Sequence, residues 1–494
     1  MKGRRSGAQV GLAAAFCAAS LGGCATGPGF TRPEPPQADR YTSQPLAMEA
    51  ASGASDAAQH IELGTALGPE WWRLFRSDAI DDIVARALAG NRTLVAAAAT
   101  LEQAQELAAA QAGTLAPQVG LTAGTGRQKY GEEFLGSLPK PPPFSYFAVG
   151  PTVSYTLDYT GGAARSVEQR FALADYQRQQ LDAARLAVAG NAVLQALRIA
   201  SLRAQIATVD AILDQDRENL KLVHVAFDAG SVSRLDIVSA ESQLASDTTL
   251  LPPLRQELSV AGHALAIALG RPPAGAALPE LDLARLTLPR DLPVSLPSEL
   301  ARRRPDILAA EAQLHAATAA VGVADANLYP HLTLSASTGQ QSATLAHLFE
   351  PSSGVWALAA GLVAPIFDGG TLRAEQRAST DALRASAANY EQTVLVAFGQ
   401  VADSLQALDH GAEQLLAQSH AQEAARDNLD LTRKSYHEGN VGVLQVLDAE
   451  RLYQQARLGY VRAEAQRYSD TAQLFLALGG SGPQAEPRSL ATKR

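Results

Sequence analysis

The chain has 494 residues, of which 47% are apolar but only 5% aromatic, and a formal net charge of −9. Acidic and basic residues are mixed along it, which excludes the basic face that a nucleic-acid partner requires. So few large rings cannot fill a thick globular core, whereas abundant alanine suits long helices that approach closely. The cysteines, Cys17 and Cys24, both sit at the N-terminus. The body of the chain therefore has no disulfide framework and no cysteine metal site.

Residues 1–23 read as a secretory signal. Lys2, Arg4 and Arg5 precede an apolar run from Ala8 to Leu21, which is too short for a comfortable membrane span. Leu21-Gly-Gly-Cys24 resembles a bacterial lipobox, which implies cleavage before Cys24 and a covalent lipid on it. An ordinary signal peptide with an incidental cysteine is the alternative. Ala25, where an aspartate would retain such a lipoprotein in the inner membrane, fits passage to the outer one. Residues 24–68 are rich in Pro, Ala, Ser and Gln and read as an extended, lipidated tether without periodicity. No uninterrupted apolar run after Cys24 is long enough for a transmembrane helix.

From residue 69 the chain repeats itself. Phe227-Asp-Ala-Gly230-Ser-Val-Ser-Arg-Leu235 matches Tyr436-His-Glu-Gly439-Asn-Val-Gly-Val-Leu444 at an offset of 439 − 230 = 209. Leu115-Ala-Pro117 matches Leu328-Tyr-Pro330, and Asp158-Tyr-Thr-Gly161 matches Asp368-Gly369, in the same order. Two units follow, 69–290 and 291–478, with a flexible tail at 479–494.

The first unit predicts a helix over 78–116, strands over 119–126 and 146–157, a helix over 163–228, a turn near Gly230 and a helix over 234–269. Pro252-Pro253 should kink or break that last helix. The second predicts a helix over 305–328, strands over 332–339 and 355–366, a helix over 371–437, a turn near Gly439 and a helix over 443–478. The two uninterrupted helices, of about 65 residues, would each run roughly 100 Å. Two shorter helices laid along one long one make a rod.

Ile237, Leu244, Leu251, Leu258 and Leu265 recur every seven residues, beside a smaller row of Ala240, Leu254, Ala261 and Ala268. Val446, Tyr453, Tyr460 and Leu474, with Ala449, Ala456, Ala463 and Ala477, repeat the pattern. A helical bundle and a helical barrel both satisfy it. The strands alternate apolar with small or polar residues. Alternation alone suits a soluble sheet with one buried face as well as a membrane barrel. A secreted, membrane-anchored chain favours the barrel. Four strands cannot close one, so several chains would have to share it.

Trp71-Trp72-Arg-Leu-Phe75, Arg303-Arg-Pro-Asp-Ile307 with Ala310-Glu311, Pro365-Ile-Phe-Asp-Gly-Gly370 and the twin turns together resemble the TolC-type outer membrane factors. The likeness is to their lipoprotein branch, which serves resistance-nodulation-division (RND) efflux pumps, and it covers nearly the whole mature chain. It implies a mixed α and β fold. A homotrimer would form a twelve-stranded membrane β-barrel, four strands from each chain, continuous with a long periplasmic α-helical barrel. It implies an outer-membrane location, a periplasmic adaptor and an inner-membrane RND transporter as partners, and passive conduction without chemistry. The family's periplasmic constriction falls on Leu444 and Asp448, with Gln445 where some members carry an acid, and with Asp236 at the matching tip of the first unit. Gly230, Val232, Ser233, Gly439, Val441 and Gly442 become adaptor-contacting tips. Gly230 and Gly439 are also simply turn residues with positive φ. Pro305 and Asp306 suit the first turn of a helix, and Trp71 and Trp72 suit packing rather than ligand binding.

No P-loop, Gly-x-Ser-x-Gly, His-Glu-x-x-His or Cys-x-x-Cys motif occurs. No cofactor and no metal site is expected. A lipid-anchored coiled-coil scaffold without a channel is the rival reading, and it leaves the alternating strands unexplained.

Overall fold

A computed structural model of the chain describes residues 26–34, 40–42, 49–50, 58–129, 142–274 and 279–480. Cys24, much of the 24–68 segment, part of the first hairpin loop and 481–494 lie outside them.

In chain order the elements are β1 (Glu49–Ala50), β2 (Gln59–Leu63), α1 (Asp78–Gly90), α2 (Arg92–Gly113), β3 (Gln118–Gln128), β4 (Phe144–Leu157) and α3 (Gly162–Asp228). There follow α4 (Arg234–Thr248), α5 (Leu251–Ala268), β5 (Asp291–Val294), α6 (Pro297–Arg303) and α7 (Pro305–Ala326). The chain closes with β6 (His331–Ser342), β7 (Gly354–Val363), α8 (Thr371–His437) and α9 (Val443–Ala477). It divides into two compact units, one of 1–33, 100–177 and 309–390, the other of 34–99, 178–308 and 391–494.

The first unit holds a four-stranded antiparallel sheet in the order β3-β4-β6-β7. Its register aligns the apolar sets of all four strands. Val119 pairs with Val153, Val153 with Ala336 and Ala336 with Leu358. Directly paired residues point to one side, so Val119, Leu121, Phe147, Val149, Val153, Leu332, Leu334, Trp356, Leu358 and Leu362 form one face. Thr122, Gly124, Ser154, Thr333, Ser335, Ala359 and Gly361 lie on the other. Among the described residues nothing buries the apolar face: Leu121 is 75% exposed and Trp356 77%.

α7 is long and apolar enough by length and composition to cross a membrane, although Asp306, Glu311, Gln313 and His315 interrupt its apolar run. It is a packed helix instead, with Leu314, Ala316, Ala319 and Val321 buried. The N-terminal segment is fastened across it. Thr26 N–H donates to Thr160 O at 3.0 Å, Phe30 stacks on His315 at 4.3 Å, and Arg32 pairs with Glu311 at 2.9 Å. Gly27 has φ +82°, and a Cβ there would meet Gly322 Cα at 2.5 Å.

In the second unit a small sheet runs β1-β2-β5, with β2 and β5 parallel. This corrects the reading of 24–68 as a featureless tether: Gln59–Leu63 is a strand with Gln59 and Ile61 buried. Arg467 donates to Gln59 Oε1 at 2.5 Å and to Leu408 O at 2.7 Å, and Gln59 Nε2 donates to Pro289 O at 2.8 Å. Trp71, Phe75, Tyr468 and Phe475 pack together beside it.

The single helix expected over 78–116 is two. Asn91 breaks it by donating from Nδ2 to Ala268 O at 2.9 Å while its Oδ1 accepts Thr93 N–H at 2.9 Å. The break at Pro252-Pro253 is present, both prolines lying in the first turn of α5, where no intrahelical donor is lost. Of the first heptad row Ile237, Leu251 and Leu265 are buried, as are Ala240, Leu254, Ala261 and Ala268 of the second.

Candidate functional site

The second unit carries both hairpin tips, and they are built alike. In the first, Gly230 has φ +76°, its N–H donates to Phe227 O at 2.8 Å, and Ser231 N–H donates to Ala226 O at 2.8 Å. In the second, Gly439 has φ +76°, with the matching bonds to Tyr436 O at 3.0 Å and from Asn440 to Ser435 O at 2.9 Å. Each is a helix-ending motif in which a left-handed glycine lets the last carbonyls find donors.

The next helix starts in the same way in both. Asp236 Oδ2 accepts Ser233 N–H at 2.7 Å and the Ser233 hydroxyl at 2.8 Å, and Gln445 Oε1 accepts Gly442 N–H at 3.0 Å. The offset is again 445 − 236 = 209. Gln445 thus closes its helix N-terminus as an acid would, without adding a charge, and Asp236 is engaged within its own hairpin.

Behind the tips Val223, Ile237, Ala240 and Val443 form a small core, with Val232, Tyr436 and Leu447 against it. Gly230, Ser233, Gly439 and Gly442 are exposed, and Val441 is half-buried. Leu444 and Asp448 lie one turn apart on α9, both exposed, while Val443 packs in the core and Ala449 is buried. Asp448 pairs with Arg451 at 2.6 Å. At such exposure this ion pair contributes little. The repeat pairs Leu444 with Leu235, 444 − 209, which is 64% exposed at the equivalent position of the first tip.

A polar layer that the sequence did not reveal lies a few turns behind. Glu450 is buried, accepts from Asn219 of α3, and pairs with Arg433 of α8 at 2.5 Å. Burial pushes its carboxyl up, and Arg433 pulls the other way. Gln454 Nε2 donates to the buried Asp216 Oδ1 at 3.0 Å.

Arg304 was also missed. It is buried, caps α9 through Ala477 O at 2.8 Å, and pairs with Asp306 at 2.9 Å at the start of α7. Among the described residues no cluster of His, Cys, Asp and Glu could hold a metal.

A four-stranded sheet with an exposed apolar face, joined to two matched helical hairpins in one chain, defines the class of outer-membrane channels with helical extensions. The solved structure of the outer-membrane channel OprN has this fold, with a TM-score of 0.83 and 27% identity over 93% of this chain and 99% of that one. The sequence profile of the outer membrane efflux protein family matches residues 83–271 and 296–480, and the chain belongs to that family.

The pyoverdine export outer membrane protein OpmQ of Pseudomonas aeruginosa is 33% identical over 450 residues, 90% of this chain and 92% of that protein. Outer membrane protein OprJ of the same species is 29% identical, covering 98% of each. The protein is an efflux channel component of the outer membrane of a Gram-negative bacterium.

Proposed function

We propose that three copies assemble, each giving four strands to a twelve-stranded membrane barrel and its helices to a periplasmic tunnel. A periplasmic adaptor meets the tips at Gly230, Val232, Ser233, Gly439, Val441 and Gly442, and an inner-membrane RND transporter supplies the cargo. In this reading the channel conducts passively, performs no chemistry, and is shut at rest by Leu444 and Asp448. Cys24 carries a lipid.

The observation that carries this reading is the sheet: among the described residues both edges, β3 and β7, lack a partner, and the apolar face is bare. An open edge and an uncovered apolar face are not stable in water, and in a bilayer the remedy is closure. The coiled-coil scaffold alternative has no use for such a sheet.

The internal repeat supplies the register of closure. Within the chain β4 meets β6 with paired numbers summing to 489, for instance Leu157 with Leu332. β6 stands 213 residues after β3, and the two hairpin registers put β7 209 after β4. Carried to the β7–β3 junction between copies, the sum is 489 + 209 − 213 = 485. Leu362 then faces Ala123, and Gly361 faces Gly124.

Gly124→Cys combined with Gly361→Cys should give covalent trimers on oxidation. Gly361→Cys with Thr122→Cys or Gly126→Cys should cross-link several-fold less. Uniform failure in a chain that still migrates as a trimer refutes the register, and a monomer in detergent refutes the assembly.

A further inference from the structure

We propose that Asp216 and Asp247 form a proton-dependent latch behind the tips, holding α3 and α4 together when the pair shares a proton and loosening them when both are ionised. It rests on the channel reading only for its effect on gating.

Asp216 is 4% exposed, and its Oδ2 is buried with no N–H or O–H group donating to it. The group beside it is the carboxyl of Asp247, itself held by Gln243 Nε2 at 2.7 Å. Two acceptors meet stably only with a proton between them. The other oxygen of Asp216 is fixed by Gln454 of α9. One carboxyl thus joins a helix of the first hairpin to its neighbour and to a helix of the second.

The surrounding charges do not supply a neutralising cation. On α9, Glu450 adds negative charge, and its partner Arg433 on α8 is committed to it. Arg255 of α5 stands 3.8 Å from Asp210, a turn and a half along α3. Asp214 with Arg217, and Glu218 with Lys221, are exposed pairs within α3.

Burial first, then the contact and repulsion from Asp247, push the Asp216 carboxyl up to about 7. The sign follows from proton binding. The folded pair holds a proton that the unfolded chain releases near its ordinary value of 3.8. The latch is therefore complete at low pH, weakens as pH climbs from that value, and is lost as pH passes through about 7. Gln454 of α9 donates to Asp216 and favours its ionised form, so α3 stays tied to the helix that carries Leu444 and Asp448 while α4 is released beside it.

Hydrogen exchange of the full-length protein in detergent, corrected for intrinsic rates, tests this at about pH 5.5 and about pH 8. Amides around Asp216 and Asp247 should open roughly tenfold more often at the higher pH, about 1.4 kcal/mol. Asp216→Asn and, separately, Asp247→Asn remove the repulsion and should abolish the difference. Asp214→Asn, on an exposed pair, should retain it. A parent protein without the pH difference, or an Asp216→Asn protein that keeps it, overturns the latch. Single-channel recordings separate the two readings. Exchange that follows the latch while conductance ignores pH supports the latch and counts against the gate at Leu444 and Asp448.

Discussion

At the scale of single residues, the tips divide labour between neighbours. Val443 and Ala449 are buried, while Leu444 and Asp448, on the same two turns of α9, are exposed. In the proposed trimer three Leu444 side chains would form a dry ring with three Asp448 carboxylates one turn away. Leu444→Ala with Asp448→Ala should therefore raise single-channel conductance in planar bilayers without changing trimer yield. Conductance equal to the parent's would sink the gate. The exposed Leu235 is the matched control, since its replacement by alanine alters the first tip and leaves the second intact.

The glycines were legible from sequence because a left-handed turn has few other solutions. Gln445 was legible only as a departure from an acid; its bond to Gly442 N–H explains why an uncharged side chain serves. Asp216 was not legible at all. It reads as one more acid on a long polar helix, and its burial depends on Gln454, 238 residues away.

At the scale of elements, what the sequence announced was periodic and what it hid was short. Ten-residue alternation marked β3, β4, β6 and β7, and an absence of proline over more than sixty residues marked α3 and α8. β2 has five residues, of which Ile61 is buried and Leu63 exposed, and its partner β5 lies some two hundred residues on. Such a strand is specified by what packs on it, not by its own pattern.

Here that agent is Arg467, a buried guanidinium anchored by Gln59 and Leu408. Gln59→Leu removes one acceptor and should cost about 1–3 kcal/mol, the penalty for an unmet buried donor. Faster amide exchange confined to β2 and β5 would report it, whereas unchanged exchange would mean that the sheet does not depend on this bond. Arg304 is hidden for the same reason. Its place in Arg303-Arg-Pro-Asp reads as a helix start, but its side chain serves the far end of α9.

For the whole molecule, the internal duplication converts a twofold similarity in sequence into a rule for assembly. The junction between β4 and β6 inside one chain is the template for the proposed junction between β7 and β3 of neighbouring chains. An intact mass of the processed protein tests the remaining proposal at this scale. Lipid on Cys24 should be present in the parent and absent in Cys24→Ser, and an unmodified N-terminus at another residue would contradict it.

The fastening of Thr26 has a consequence for how such chains find one another. Only Ala25 lies between Cys24 and Thr26, a leash of at most about 7 Å. Thr26 is bound to Thr160, three residues beyond the end of β4. A lipid on Cys24 would therefore have almost no slack relative to the sheet. It would act as a depth gauge, setting each newly anchored chain at the same height in the leaflet with its strand ends level. Edge strands that must pair in one register would then search in two dimensions, at matched depth and raised effective concentration, rather than sliding past one another in solution.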